Sequence, residues 1–330
     1  MRSESEGGPR KVVVGTCMYA MWGDYPGLRA RLEELGTLVD EMAQQARARY
    51  DRGLDLAALP EVAVSGGLPL GPEGGFPFAG EIHGYFGTKA REHRCYLLVP
   101  LLLKERNPHT GRQETFNAAV LLGRRGEVVG TYRKVHLVVM EDGSLEGGCV
   151  PGRNFPVFDC DFGKVGVQIC WDMAYDEGWE VLRRKGAELV VWSTQSPGKV
   201  RAACRALRGR YYVLTSTWRN NASLVDPTGH LLYSITRPEE RVLVAEIDLE
   251  FAILQWQPAL RNGAALRERY GDRVDFRYSE AEDEGIFWSN DPATPIARMI
   301  RELELQPGDT KPEADRILQD KARGGPPDLS

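Results

Sequence analysis

The stretch Phe162-Gly-Lys-Val-Gly-Val-Gln-Ile-Cys-Trp-Asp172 decides the fold and carries the first candidate for chemistry. Apolar residues lead up to Cys170, a helical pattern follows over residues 177–185, and a second apolar strand runs from Glu188 to Thr194. This order of strand, helix and strand is typical of an α/β fold and places Cys170 at the carboxyl end of a strand. Open α/β sheets bind ligands at that end, so the thiol is a candidate nucleophile, although a cysteine after an apolar run is more often simply buried.

Two further segments end in charged residues at predicted strand ends. Leu54-Asp-Leu-Ala-Ala-Leu-Pro-Glu61 reads as a strand that stops at its proline, because proline cannot donate to a sheet ladder, and Glu61 follows directly. Val128-Val-Gly-Thr-Tyr-Arg-Lys-Val-His-Leu137 reads as another strand, with a basic pair that includes Lys134 at its end. Taken alone, each segment is better explained by solvated surface charges.

Together, the three segments resemble the nitrilase superfamily of carbon–nitrogen hydrolases, in which a glutamate, a lysine and a cysteine occur in this order. The matching blocks are Leu56-Ala-Ala-Leu-Pro-Glu61, Tyr132-Arg-Lys-Val-His-Leu137 and Ile169-Cys-Trp-Asp172. The resemblance extends from about Lys11 to about Leu249. It implies an α/β fold built as a four-layer αββα sandwich, in which two facing sheets lie between outer helices.

The resemblance also implies a catalytic triad of Glu61, Lys134 and Cys170. A cysteine attacks as its thiolate, so Glu61 is expected to take the thiol proton. The ammonium of Lys134 and the backbone N–H of Trp171 are expected to stabilise the oxyanion that forms when the thiolate attacks a carbonyl carbon.

Many members of the family carry a second glutamate in the loop after the lysine. Residues 141–153 are rich in glycine and lack periodicity, which is typical of a lid or a pocket wall. Glu146 fits the second position best, with Glu141 as the competing candidate. Asp172 resembles the residue of the amidase and carbamoylase branches, and we expect it to help position the substrate together with Trp171 and Glu146.

The chain departs from the family pattern at Asp176, where relatives carry a proline before the residue that aligns with Glu177. Asp176 is expected to cap the helix that begins there, because aspartate accepts hydrogen bonds from the free N–H groups of a first helical turn.

The expected function is hydrolysis of a linear, non-peptide carbon–nitrogen bond, in an amide or an N-carbamoyl compound, through a cysteine thioester. Three alternatives stay open. A nitrilase would convert a nitrile to an acid and ammonia. A Cys-His enzyme would use His136 as its base. A non-catalytic member would use the same scaffold for interaction with a partner.

Composition is ordinary for a globular protein, and the resemblance implies a small-molecule amide or carbamoyl substrate as the partner. The 330 residues are 42% hydrophobic and 27% charged with a net charge of −5, which favours neither nucleic acid nor an anionic membrane as a partner. The sequence has no apolar run of bilayer length and no apolar signal-peptide core at its start. Six cysteines without paired spacing are typical of a reduced, cytoplasmic protein, and no metal or other cofactor is expected because no ligand spacing is visible.

We expect three parts in the chain: a flexible N-terminus over residues 1–10, a hydrolase domain over 11–262 and a C-terminal extension over 263–330. The extension carries four apolar residues at helical spacing, Ile296, Met299, Ile300 and Leu303. Because this segment is too short to bury them alone, we expect it to reach a partner subunit in a homodimer or higher homo-oligomer. Its end is expected to be extended or disordered.

Overall fold

The structure, a computed structural model, describes residues 7–237, 239–308 and 311–328. Residues 1–6 of the expected flexible N-terminus, and the last two residues of the expected tail, lie outside the described residues. By its contacts the chain divides into two compact units, one of residues Val12–Ile247 and one that combines the residues up to Lys11 with those from Asp248 onward. This boundary lies inside the predicted hydrolase domain of residues 11–262.

The first unit alternates strands and helices along the chain. Its helices are α1 (Leu28–Tyr50), α2 (Glu81–His93), α3 (Glu177–Arg184) and α4 (Lys199–Gly209). Its strands are β1 (Lys11–Cys17), β2 (Leu56–Ala58), β3 (Tyr96–Arg106), β4 (Gln113–Leu122), β5 (Val128–Arg133), β6 (Val157–Cys160), β7 (Gly163–Ile169), β8 (Leu189–Thr194), β9 (Tyr212–Thr217), β10 (Ser223–Val225), β11 (Leu231–Ser234) and β12 (Val242–Asp248). In the part of the chain that the structure describes, no helix is both long and apolar enough to cross a membrane.

The described strands of this unit form two six-stranded sheets, in the orders β12-β1-β2-β3-β4-β5 and β11-β10-β9-β8-β7-β6. β2 pairs in parallel with β1 and β3, and β8 pairs in parallel with β7 and β9. Antiparallel strands flank each parallel centre, as β4 does beside β3 and β6 does beside β7. The sheets face each other and helices cover their outer faces, which confirms the predicted αββα sandwich.

Buried hydroxyl groups link the two facing sheets. Ser193 Oγ in β8 donates to Leu59 O at 2.9 Å, and Ser216 Oγ in β9 donates to Ala58 O at 3.2 Å. Because each of these hydroxyls has an acceptor, the polar groups cost no unsatisfied hydrogen bond in the interior. The links hold the end of β2 against the carboxyl ends of the strands in the second sheet.

The outer helices are held by apolar stripes at helical spacing. α1 buries Leu32, Leu35, Val39 and Met42 against the first sheet, as its periodicity predicts. α3 and α4 cover the second sheet in the same way, with Trp179 as the largest contact. The helices that follow the strands thereby keep the strand ends in place.

The second unit contains a sheet that the sequence analysis missed. Its strands are β13 (Phe251–Gln255), β14 (Val274–Ser279) and β15 (Glu284–Ser289), and β15 pairs antiparallel with both others. The helices α5 (Ala264–Tyr270), α6 (Ile296–Glu302) and α7 (Lys311–Arg323) belong to the same unit. Each strand has only five or six residues, so the pattern in any one segment is weak.

The four apolar residues expected at a subunit contact are used inside this unit instead. Ile296, Met299 and Ile300 on α6 are at most 4% exposed and form one core with Leu254 and Phe287 of the sheet. Leu303 packs against that core. The segment is too short to bury its own apolar face, but the missed sheet supplies the covering surface. The expected extended end is also different, because residues 311–323 form α7.

Replacing Met299 by alanine should lower the free energy of unfolding by roughly 2–5 kcal/mol, because truncating a fully buried side chain leaves a cavity. The mass of the protein in solution should not change, since the contact is internal to the chain. Denaturant unfolding and light scattering measure the two quantities.

The control is Val200→Ala on α4, where the side chain is 76% exposed and the expected change is within about 0.5 kcal/mol. If Met299→Ala lowers the mass of the particle in solution but leaves the free energy of unfolding unchanged, Met299 would lie at a contact between chains and not inside its own unit.

Candidate active site

The ends of β2, β5 and β7 lead into the three residues of the predicted triad: Glu61, Lys134 and Cys170. Glu61 and Lys134 are each 1% exposed. Lys134 Nζ donates to Glu61 Oε1 at 2.9 Å. Burying opposite charges at this depth is tolerated only when they are paired and hydrogen-bonded. The structure therefore brings two of the predicted residues into direct contact.

Glu146, and not Glu141, is the second carboxylate beside Lys134. Glu146 is 3% exposed and its Oε1 accepts a hydrogen bond from Lys134 Nζ at 2.5 Å, whereas Glu141 is exposed. Val138 N also donates to Glu146 Oε1, at 3.1 Å. The ammonium thus lies between two carboxylates that come from different loops.

Asn117 links these two carboxylates, and the sequence analysis assigned it no role. Its Nδ2 donates to Glu61 Oε1 and to Glu146 Oε2, at 2.9 Å in both cases. Asn117 lies in β4, among residues that are otherwise apolar, and it is 1% exposed. A buried amide in such a strand requires hydrogen-bond partners, and this is the signal that could have identified it.

Two glycines hold the Glu146 loop against the loop that follows Glu61. A Cβ at Gly71, where φ is 92°, would lie 2.0 Å from Gly147 O. A Cβ at Gly147, where φ is 68°, would lie 2.5 Å from Leu70 O. Only glycine permits both the positive φ and this approach of two backbones. The contact keeps Glu146 within reach of Lys134.

Cys170 begins a 3₁₀ turn over Cys170–Ala174 and has a φ of 42°. A positive φ is strained for a residue with a side chain, and such strain is concentrated at functional sites. Trp192 Nε1 donates to Cys170 O at 3.1 Å and holds the turn against β8. The first N–H groups of a helical turn have no acceptor within the turn, and Trp171 is the second residue of this one. Its side chain is 43% exposed.

Burial, reinforced by the Glu61 carboxylate, keeps the thiol of Cys170 protonated. Burial raises the pKa of Cys170 to about 12, with the charge of Glu61 acting in the same direction and Lys134 opposing it. Burial on its own lowers the pKa of Lys134, but Glu61, Cys170 and Glu146 together raise it above its ordinary value. Lys134 and Asn117 both bind Oε1 of Glu61, so Oε2 is left for the Cys170 thiol, and the hydrogen bond between the thiol and this carboxylate also raises the thiol pKa. The cluster therefore combines a thiol, an ammonium and a carboxylate oxygen that is free to accept a proton.

Asp172 supports the turn that begins at Cys170 rather than a substrate. It is fully buried, and its Oδ2 accepts hydrogen bonds from Tyr132 Oη at 2.6 Å and from Ile169 N at 2.9 Å. Its Oδ1 accepts from His136 N at 3.0 Å. Both oxygens are occupied by protein donors, which corrects the expectation that Asp172 positions the substrate directly.

His136 lies between two carboxylates, which disfavours the Cys-His alternative. Its Nδ1 is 2.9 Å from Asp172 Oδ1 and its Nε2 is 2.8 Å from Glu177 Oε1. The hydrogen bond to Asp172 raises the pKa of His136, burial acts against this, and Glu177 raises it again. The ring also stacks on Tyr175 with 3.9 Å between centroids. An imidazolium that donates from both nitrogens has no lone pair with which to accept a thiol proton.

Asp176 does not cap α3 as expected. Its side chain makes no capping hydrogen bond, and its carboxylate pairs with Arg205 and, at 3.4 Å, with Arg208. Arg205 also donates to the backbone oxygens of Met173 and Tyr175, at 2.9 and 3.1 Å. The guanidinium therefore fastens the end of the Cys170 turn to α4.

A group of metal-type ligands lies elsewhere, on the outer helices. Ligand atoms of Asp40, Glu92 and His93 all lie within 4.8 Å of one another. Lys89 Nζ is 2.9 and 2.8 Å from the two oxygens of Asp40, so an ammonium already holds the position that a cation would take. We assign this group a structural role between α1 and α2.

Residues 23–254 match the family model of the carbon-nitrogen hydrolases, which is more than half of the chain. The chain belongs to the carbon–nitrogen hydrolase family. Membership confirms the predicted relationship to the nitrilase superfamily and supports hydrolysis of an amide carbon–nitrogen bond in general terms.

This carbon–nitrogen hydrolase is 31% identical to a nitrilase of Pyrococcus abyssi over 215 residues, which are 60% of this chain and 78% of that one. It is 28% identical to the omega-amidase NIT2-A of Xenopus laevis over 238 residues, which are 65% of this chain and 81% of that one. The solved structure of Saccharomyces cerevisiae Nit3, a member of the nitrilase superfamily, matches at 21% identity with a TM-score of 0.58. That match covers 72% of this chain and 90% of Nit3, and it supports the fold.

Replacing His136 by glutamine should destabilise this hydrolase most in acidic solution. Because folding raises the pKa of His136, the protonated ring contributes stability that is fully present below the ordinary histidine pKa of about 6.5 and is lost as pH rises through the raised value. The difference in Tm between wild type and variant should therefore be largest below about pH 6.5 and shrink in alkaline solution. Thermal melts over a pH series measure it.

His109→Gln is the matched control, because His109 lies exposed on a loop. Its Tm difference from wild type should be small and independent of pH. A difference for His136→Gln that is equal at every pH would contradict a charged ring between Asp172 and Glu177.

Proposed function

We propose that this chain hydrolyses the carbon–nitrogen bond of a linear amide or N-carbamoyl compound through a thioester on Cys170. The observation that carries the proposal is the buried ammonium of Lys134, which binds one oxygen of Glu61 and leaves the other oxygen for the thiol of Cys170, whose pKa is raised by burial and then by the charge and hydrogen bonding of the Glu61 carboxylate. A carboxylate oxygen that is free to accept, close to a protonated thiol, meets the requirement for a general base that activates a nucleophile.

The first step is proton transfer from Cys170 to Glu61. Before transfer, the cluster holds one ammonium and the two carboxylates of Glu61 and Glu146. Releasing the thiol proton to solvent would add a second uncompensated negative charge to a buried site, and the raised pKa of Cys170 reflects that cost. Passing the proton to Glu61 leaves the net charge of the cluster unchanged. The thiol should therefore ionise only as Glu61 accepts its proton.

Attack of the thiolate on the carbonyl carbon creates a tetrahedral oxyanion. Glu61 and Glu146 engage two of the three N–H groups of Lys134, so the third is left for this oxyanion. The N–H of Trp171 is the second donor, and a donor of this kind lowers the barrier by about 3 kcal/mol. Glu61 then gives its proton to the leaving nitrogen, the carbon–nitrogen bond breaks, and a thioester remains.

Hydrolysis of the thioester uses the same carboxylate. Glu61, ionised again, takes a proton from water as the water oxygen attacks the thioester carbon. The carbon–sulfur bond breaks, the acid leaves, and the thiolate of Cys170 recovers a proton from Glu61. Glu146 stays paired with Lys134 during both half-reactions, so the position of the ammonium does not depend on the protonation state of Glu61.

Cys170→Ala should abolish turnover while the protein keeps its fold, because the thiol supplies the bond-forming sulfur. The substrate is sought by measuring ammonia release over a panel of ω-amides, other linear amides, N-carbamoyl amino acids, N-carbamoyl amines and nitriles. Acid quenching of the wild type followed by mass spectrometry should reveal an acyl group on Cys170.

The matched control is Cys204→Ala, which removes an exposed free thiol and should retain full activity. Turnover by the Cys170→Ala protein would refute the proposal. Turnover of nitriles in the absence of any amide or carbamoyl activity would favour the nitrilase alternative.

We also propose that the chain forms a homodimer or higher homo-oligomer, with α7 at the contact. The support is the pair Ile317 and Leu318 on α7, whose side chains are 65% and 67% exposed. A second copy of the chain would cover them, and self-complementary contacts of this kind are the usual route to assembly.

A chain truncated after Gly308 lacks α7 and should show a lower mass than the full-length chain in light scattering at the same concentration. The core of α6 is retained in the truncated chain, so its fold should persist by circular dichroism. A full-length monomer at micromolar concentration would refute assembly, and an unchanged oligomer after truncation would place the contact elsewhere.

A further inference from the structure

A mainly apolar pocket opens in the first unit. We call it the apolar pocket, and its main walls are the side chains of Met21, Trp22, Val62, Leu68, Leu70 and Trp218. Trp22 and Trp218 meet edge to face, with 4.7 Å between ring centroids and 70° between ring planes. Trp22 is 63% exposed at the rim, whereas Trp218 is buried. The pocket therefore offers aromatic surface from its mouth inward.

The walls of the apolar pocket are joined to the catalytic cluster on two sides. Val62 directly follows Glu61, with a φ of 47° that is rare for a β-branched residue. Trp218 Nε1 donates to the backbone oxygen of Glu61 at 2.9 Å. On the other side, Gln195 follows Thr194, whose hydrogen bond to the thiol of Cys170 partly offsets the effect of burial on the thiol pKa.

The Glu146 loop forms a third connection. The backbone of Leu70, a wall residue, meets the backbone of Gly147, which is next to Glu146 in sequence. The lining thus includes Val62 beside Glu61, Gln195 beside the residue that hydrogen-bonds Cys170, and Leu70 against the neighbour of Glu146. A substrate whose carbonyl carbon lies at Cys170 would project its substituent toward this pocket.

None of the described lining residues of the apolar pocket carries a charge. Its polar side chains are Ser65 and Gln195, and Ser65 Oγ already accepts a hydrogen bond from Leu102 N at 3.1 Å. Arg31 of α1 contacts the wall, but its Nη2 donates to Gly66 O at 2.9 Å and its Nη1 pairs with Glu34 at 3.5 Å, so its charge is already compensated. An anionic group placed in the pocket would lose its hydration without a cationic side chain in the lining, which is costly. An apolar group would instead lose only its contact with water, which is favourable.

We infer that the apolar pocket binds the acyl substituent of a primary amide, and that this substituent is an uncharged apolar or aromatic group. The inference rests on the proposed function, because it assumes that the amide carbon reacts at Cys170. In a primary amide the acyl side carries the only substituent, so the pocket has one group to accept. An ω-amide that ends in a carboxylate is disfavoured, since the described walls supply no cation.

The test compares 3-phenylpropanamide with succinamate, which has the same two-carbon spacer but ends in a carboxylate instead of a phenyl ring. Acetamide, which has no group for the pocket, is the reference. We expect kcat/KM for 3-phenylpropanamide to exceed that for acetamide by at least about tenfold, the discrimination that an added apolar group brings in a fitting pocket, and succinamate not to exceed acetamide.

Trp22→Ala should lower the ratio of kcat/KM for 3-phenylpropanamide over acetamide by about tenfold. Leu68→Arg, at a half-buried wall position, should lower the same ratio and raise the ratio for succinamate over acetamide. The matched control is Trp256→Ala, which removes a tryptophan that is 58% exposed in the second unit and should leave both ratios unchanged.

Binding without chemistry separates this inference from the proposed function. Calorimetric titration of the Cys170→Ala protein should show tighter binding of 3-phenylpropanamide than of succinamate. If the Cys170→Ala protein shows this binding preference but the wild type hydrolyses none of the amides, the result would support the pocket and overturn the proposed function. If the wild type hydrolyses acetamide but its kcat/KM for succinamate equals or exceeds that for 3-phenylpropanamide, the proposed function would stand and the inference would be overturned.

Discussion

The structure around the active site depends on one buried cation. The ammonium of Lys134 is 1% exposed, and charge at that depth is tolerated only with hydrogen-bonded counter-charges. Glu61 and Glu146 supply these counter-charges. Asn117 donates a hydrogen bond to each of the two carboxylates and so fixes their positions relative to one another. Removing one partner of such a buried pair typically costs about 3–5 kcal/mol, so the loops that carry these residues must close around Lys134 for the first unit to fold stably. The geometry that the proposed reaction needs is thus also the geometry that folding favours.

Backbone strain lies at the same place as the charges. Val62, Glu146 and Cys170 all have positive φ, at 47°, 44° and 42°. Each is next to a group of the cluster or is part of it, and each costs free energy that the surrounding structure must offset. The facing glycines Gly71 and Gly147, together with the hydroxyl links between the sheets, supply the rigid frame that holds these conformations.

Local pattern was enough to predict the strand ends, because a proline, a basic pair or a helical pattern marks each of them within a few residues. It did not select Glu61, Lys134 and Cys170, since each alone is better explained by burial or a solvated charge, and the resemblance of the three blocks to the family selected them. The same resemblance favoured Glu146 over Glu141. The role of Asp172 was wrong because it depends on Tyr132 and His136, which reach it from a different strand end.

The other misses share that cause. The apolar face of α6 has the periodicity of an interface helix, and only the sheet formed by β13, β14 and β15 shows that it is covered within the chain. The apolar pocket is similar, since Trp22, Val62, Gln195 and Trp218 come from separate segments and none is unusual where it stands. Tertiary contacts between distant residues create both features, and a single-sequence pattern does not contain them.

The segment Lys134–His136 organises the site through two similar triplets. Lys134 lies between the carboxylates of Glu61 and Glu146, and His136 lies between those of Asp172 and Glu177. The inner cation is buried and permanently charged, and it is close to the thiol, so it suits the oxyanion. His136 can titrate, and when it is charged both of its ring nitrogens donate hydrogen bonds. It therefore suits a structural role, in which it holds the Cys170 turn and α3 together through Asp172 and Glu177. These three consecutive residues thereby link the loops that carry Glu61, Glu146 and Cys170. The charge of His136, which holds the Cys170 turn, stays separate from the charge of Lys134, which is proposed to act in the reaction.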